Sequence, residues 1–139
     1  MQTSNNLLTN NEIELLGTSL NEIEQKLLKQ ANQEGLKRIW FQGEEPYFDV
    51  FFDLKEDEII WFQFTLRGKS LSWDSKRRQL QTGLTNEFQI DDVSFYAATK
   101  TIENDEKLDI EFINLVKSIL QIRSHEKLFA QALLLFDES

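Results

Sequence analysis

The chain switches to a hydrophobic period of two at Phe48, and that switch constrains its fold more than any other feature. Phe48, Val50, Phe52 and Leu54 alternate with Tyr47, Asp49, Phe51 and Asp53; further on, Ile60, Phe62, Phe64 and Leu66 alternate with Trp61, Gln63, Thr65 and Arg67. A period of two sends successive side chains to opposite faces of a β-strand. The acidic stretch Lys55-Glu56-Asp57-Glu58 joins the two runs as an antiparallel hairpin. Pairing Leu54 with Ile60 sets Phe52 against Phe62 and Val50 against Phe64, which makes one face wholly apolar and therefore a core face. The same register puts Asp53 opposite Trp61, Phe51 opposite Gln63, Asp49 opposite Thr65 and Tyr47 opposite Arg67. That second face mixes rings with polar groups.

Elsewhere the period is that of a helix or of short strands. Thr9-Asn10-Asn11-Glu12 has capping-box spacing and predicts a short helix stopping at Gly17. Ser19-Leu20-Asn21-Glu22 repeats the signal, and Leu20, Ile23, Leu27, Leu28 and Ala31 form one stripe of a helix capped by Gly35. Strands are expected from Leu36 to Gln42, at Leu71 and Trp73, and from Gln79 to Thr82 closing at Gly83, with a turn over Asp74 to Arg78; Val93 to Thr101 reads as an edge strand. After a loop at Glu103-Asn104-Asp105-Glu106, Phe112, Ile113, Val116, Ile119 and Leu120 restore the helical stripe, and Ser124 is placed to cap a last helix through Phe136. The expectation is an α+β fold: an N-terminal helix, an antiparallel meander of five or six strands, and two C-terminal helices packed on one sheet face. Residues 1–139 read as a single domain, with 1–8 as a disordered tail.

A chain of 139 residues holds one core, and 40% hydrophobic with 28% charged residues excludes the disordered and membrane classes. The longest apolar run, Ala132 to Phe136, is far short of the roughly 20 residues that cross a bilayer. The first ten residues lack the basic start and apolar centre of a signal peptide, which implies a cytoplasmic protein. The absence of cysteine removes disulfides and thiolate chemistry. With a net charge of -9 the chain repels phosphate backbones, so a protein partner or a second copy of the chain is expected rather than nucleic acid or membrane.

No catalytic constellation emerges. Arg67-Gly68-Lys69-Ser70 contains Gly-Lys-Ser, but a phosphate loop needs a glycine five residues before Gly68, where Gln63 stands; a hairpin turn is the simpler account. His125 is the lone histidine, which rules out a histidine-based metal set and leaves a serine triad a single candidate base. Asp49 and Asp53 point the same way along one strand but lie about 13 Å apart, too far for a glycosidase pair. Asp91-Asp92 and Glu44-Glu45 could each bind a hard cation loosely, though adjacent loop carboxylates are usually just solvated. No cofactor or metal is expected.

Five of the fifteen basic residues, Arg67, Lys69, Lys76, Arg77 and Arg78, fall within twelve positions, in turns at opposite ends of one hairpin region. They are either solvated or able to steer an acidic partner. Trp40-Phe41, Phe48-Asp49-Val50-Phe51-Phe52, Phe62-Gln63-Phe64, Leu71-Ser72-Trp73 and Thr82-Gly83 together resemble a pattern in small uncharacterised bacterial proteins, of the form WF, FDLF, FQL, LxW, TG. The resemblance spans residues 40 to 83; it implies a bacterial origin and no activity, and draws attention to Asp49 and Gln63 between the rings.

Two functions fit. The first is a non-catalytic acidic binding module, adaptor-, chaperone- or inhibitor-like, offering a partner the face of Tyr47, Phe51 and Trp61 or the outer side of the last helix. The second is a small-ligand pocket, with an enzymatic role as its extension, in which Asp49 and Gln63 orient a ligand stacked on Trp61 or Trp73. A helix or loop of the same chain covering the second face would weaken the first.

Overall fold

A computed structural model of the chain describes residues 8–23, 36–85 and 102–138. Helix α1 (Asn10–Ser19) is followed by strands β1 (Asn21–Glu22), β2 (Leu36–Gln42), β3 (Asp49–Lys55), β4 (Glu58–Leu66), β5 (Lys69–Asp74), β6 (Leu80–Thr85) and β7 (Ile102–Asn104), then by α2 (Ile110–Gln121) and α3 (Lys127–Glu138). Among the described residues the strands form one antiparallel sheet in sequence order, each bonded to the next. The α+β meander with an N-terminal helix and two C-terminal helices is as the sequence implies, but the described residues already hold seven strands rather than five or six. The extra ones are β1 and β7, two and three residues long and too short to carry a hydrophobic period. The edge strand expected over Val93 to Thr101 lies outside the described residues, as do residues 1–7 of the expected tail; Leu8 packs against the core.

The capping box at Thr9 forms as read: Thr9 Oγ1 accepts from the Glu12 amide, and Glu12 returns a carboxylate oxygen to the Thr9 amide. Helix α1 runs through Gly17 to Ser19 instead of stopping at the glycine. A Cβ on Gly17 would lie 2.7 Å from Cβ of Ile122, so this glycine serves close approach between elements. No second helix starts at Ser19. Leu20 is extended, and Asn21 and Glu22 pair with Gln42 and Phe41; the rest of that expected helix, through Gly35, lies outside the described residues. The second cap signal failed because pairing with β2 offers the same amides a better partner than a side chain does.

The β3–β4 register matches expectation at five positions, from Asp49↔Thr65 to Asp53↔Trp61. It departs at the turn, where Lys55 pairs with Glu58 and Leu54 with Ile59. Glu56 and Asp57 both take positive φ, 51° and 72°, the backbone of a two-residue mirror-image turn whose twist suits a hairpin. A bulge beside Leu54 absorbs the extra residue. Ile59, not Ile60, therefore joins the core, and Ile60 is half-buried. Arg67 and Gly68 make the next turn with φ of 54° and 84°, a hairpin connection as the sequence suggested.

Helices α2 and α3 cover one sheet face. Phe112 meets Phe64 edge-on, and Phe129 meets both Phe41 and Phe52. With Phe48, Val50, Phe62, Leu66 and Leu71 they form the core. Each such ring removed from water contributes about 1.5–3 kcal/mol. The last helix begins at Lys127 rather than at a Ser124 cap; Ser124 lies in the exposed turn after α2, and the Glu126 carbonyl accepts the Ala130 amide. Arg123 explains the offset. Its Nη1 donates to the carbonyls of Gly17 and Leu20, while Nε and Nη2 hold the Glu126 carboxylate, so the turn closes onto the open end of α1. Its guanidinium also lies over the Phe129 ring, 5.1 Å from the centroid.

Candidate functional site on the second sheet face

The face away from the helices is built by alternation on β2, β3 and β4. Register places Arg38 opposite Asp53, Trp40 opposite Phe51 and Gln42 opposite Asp49 on one side, and Trp61, Gln63 and Thr65 on the other. Phe51 is the centre. Trp40 stacks on it at 5.5 Å with planes 10° apart, Trp61 approaches at 6.4 Å, and the Arg38 guanidinium covers both Phe51 and Trp61 at 5.7 and 5.1 Å. Flat rings and a planar cation favour these offset stacks over looser contact.

The polar groups are matched to one another. Arg38 makes a two-pronged ion pair with Asp53, Nε to Oδ1 at 2.7 Å and Nη2 to Oδ2 at 3.0 Å. That hydrogen-bonded carboxylate outweighs partial burial and raises the Arg38 pKa above its ordinary value. Trp40 Nε1 donates to Asp49 Oδ1 at 2.9 Å. Thr65 Oγ1 donates to the Tyr47 carbonyl. The centre of the face is closed: Asp49, Phe51 and Gln63 are 2%, 5% and 8% exposed. Its border, Arg38, Trp40, Asp53 and Trp61, stays half-buried and reaches solvent.

The remaining candidates lie elsewhere. Tyr47 is not in a strand opposite Arg67. It sits in the bend before β3 with φ of 63°, 39% exposed, where Phe48 bonds back to Gly43 and Glu45. The bend also depends on Gly43, since a Cβ there would fall 2.1 Å from the Phe48 ring. Trp73 pairs with Phe62 and Leu80 on the helix-covered side, opposite in direction to Trp61. It is 3% exposed, its Nε1 has no hydrogen-bond partner among the described residues, and Arg78 lies over its ring. The basic residues divide between the two ends of β5. Arg67 forms a two-pronged pair with Glu45, and Lys69 bonds Asp109 at 3.0 Å. Lys76, Arg77 and Arg78 are exposed in the turn after Asp74, whose Oδ1 accepts the amides of Lys76 and Arg77. Asp91-Asp92 lies outside the described residues. Among the described residues no three His, Asp or Glu side chains converge on a cation position.

Sequence reasoning missed Arg38 and Trp40. The signal was available: within Leu36 to Gln42, Arg38, Trp40 and Gln42 alternate with Ile39 and Phe41, the same period that exposed the second face of β3 and β4. No protein-family model, curated protein or solved structure matches the chain. No helix among the described residues is long and apolar enough to cross a membrane.

Proposed function

We propose that the protein is a non-catalytic, acidic, cytoplasmic binding module that docks a protein partner on the border of the second sheet face. The observation that carries this is the stack of Trp40, Phe51 and Trp61 under Arg38, two half-buried tryptophans and an arginine held rigid around a buried ring. Trp and Arg are the residue types that most often anchor interfaces, and a prefixed stack loses little rotamer freedom on docking. The neighbouring Asp53 keeps Arg38 oriented. A partner that covers the two tryptophan edges would desolvate the ion pair without separating it.

Capture of partners with the tagged chain tests the proposal, run beside Trp61→Ser and with thermal melting of both. The expected result is one stoichiometric protein held by the wild type and lost by a variant that melts normally. Retention of the same protein by Trp61→Ser would remove this face from the interface. Recovery of the chain alone, eluting at twice its monomer mass, would make the partner a second copy.

A further inference from the structure

On the helix-covered side, the β4–β5 turn, α1 and α2 do not pack flush. They leave a half-open cavity of about 400 Å³, within the size range of small-molecule sites. Its floor is apolar, made by Leu8, Ile13, Leu66, Phe112 and Leu115. Apolar surface left facing water forgoes about 25 cal/mol per Å² that an apolar occupant would recover.

The charges at the rim select against an anion. Arg67 and Lys69 border the cavity, but each is committed, Arg67 to both carboxylate oxygens of Glu45 and Lys69 to Asp109. A ligand carboxylate would have to compete with an internal carboxylate for each of these cations. Asn114 and Ser118 supply the neutral polar part of the lining. Ser118 Oγ donates to the Asn114 carbonyl, which leaves the hydroxyl oxygen free to accept.

We infer that this cavity binds an uncharged apolar small molecule carrying one hydrogen-bonding head, of the class of a medium-chain alcohol, with its tail on the half-buried Leu8, Ile13 and Leu115 and its head toward Asn114 and Ser118. The site lies across the sheet from the proposed protein-binding face, and the two stand or fall separately.

The test is titration of the full chain with the uncharged fluorophore N-phenyl-1-naphthylamine, followed by displacement with decanol and with decanoate. The inference expects saturation at one fluorophore per chain, and displacement by decanol at concentrations at least about tenfold below those of decanoate, a difference of ~1.4 kcal/mol. Asn114→Trp and Ser118→Phe, which add bulk at the cavity wall without deleting core atoms, should each weaken the fluorophore at least about tenfold while melting normally. Absence of saturable binding, equal displacement by decanoate, or unchanged binding in whichever variant folds would overturn it.

Discussion

On the face covered by α2 and α3, Phe52, Phe62 and Phe64 are buried by other apolar side chains and nothing else is asked of them. On the opposite face Phe51 is buried almost as fully, yet its neighbours include Trp40 and Arg38, which hydrogen-bond Asp49 and Asp53 as well as packing on the ring. The two kinds of closure respond differently to substitution. Apolar closure depends on volume, so its cost follows the atoms removed; polar closure depends on matched pairs, so its cost follows what the surviving partner is left without.

Point substitutions separate the two kinds of closure. Phe62→Ala, on the volume side, should lose about 3–5 kcal/mol of stability in denaturant unfolding, the range for a fully buried ring. Arg123→Met comes next, at about 2–3 kcal/mol, because the Gly17 and Leu20 carbonyls and the Glu126 carboxylate all lose a charged donor. On the matched side, Asp49→Ala should cost about 1–2 kcal/mol by orphaning Trp40 Nε1, and Asp49→Asn, which keeps an acceptor, distinctly less. If the two Asp49 variants prove equally unstable, pairing does not govern this face. Arg38→Met should cost less than about 1 kcal/mol, since both ends of its ion pair reach solvent.

Acid should act weakly and through other pairs. The hydrogen bond from Arg67 holds the Glu45 carboxyl below its ordinary value, and that from Arg123 does the same for Glu126. At Asp109 burial pushes upward, but Lys69 and the Phe112 amide outweigh it and leave the carboxyl lowered. A lowered folded value means the unfolded chain takes up protons first. These pairs therefore contribute fully above the ordinary values of 4.5 for Glu and 3.8 for Asp, and lose their contribution as pH falls through the lower folded ones. The melting temperature should hold from pH 7 to about 5 and drop towards pH 3, with a smaller drop in Glu126→Gln.

The sheet was legible in the sequence wherever burial imposed a period of two, which is why Phe52 against Phe62 and Asp53 against Trp61 could be paired in advance. The turn was not. Mirror-image hairpin turns are signalled by Asn-Gly or Asp-Gly, and Glu56-Asp57 carries neither, so the bulge and the exchange of Ile59 for Ile60 left no local trace. Tyr47 misled for a related reason: its alternation with Phe48 continues that of β3, but Pro46 and a positive φ take it out of the strand. The second face was half legible. Composition identified Phe51 and Trp61, while the closure of Phe51 depends on β2, whose side chains reach it only once the three strands are in register.

The meander also has a kinetic consequence. From β2 to β6 every strand pairs with the next in sequence, so the sheet assembles through short-range closures that proceed quickly. The bonds from Arg123 to Gly17 and Leu20 bridge 106 and 103 residues, and such distant partners meet after the hairpins have formed. Weakening a hairpin should accordingly slow refolding, whereas removing Arg123 should leave refolding nearly unchanged and accelerate unfolding, so the joint between the first helix and the last turn sets how long a folded molecule lasts.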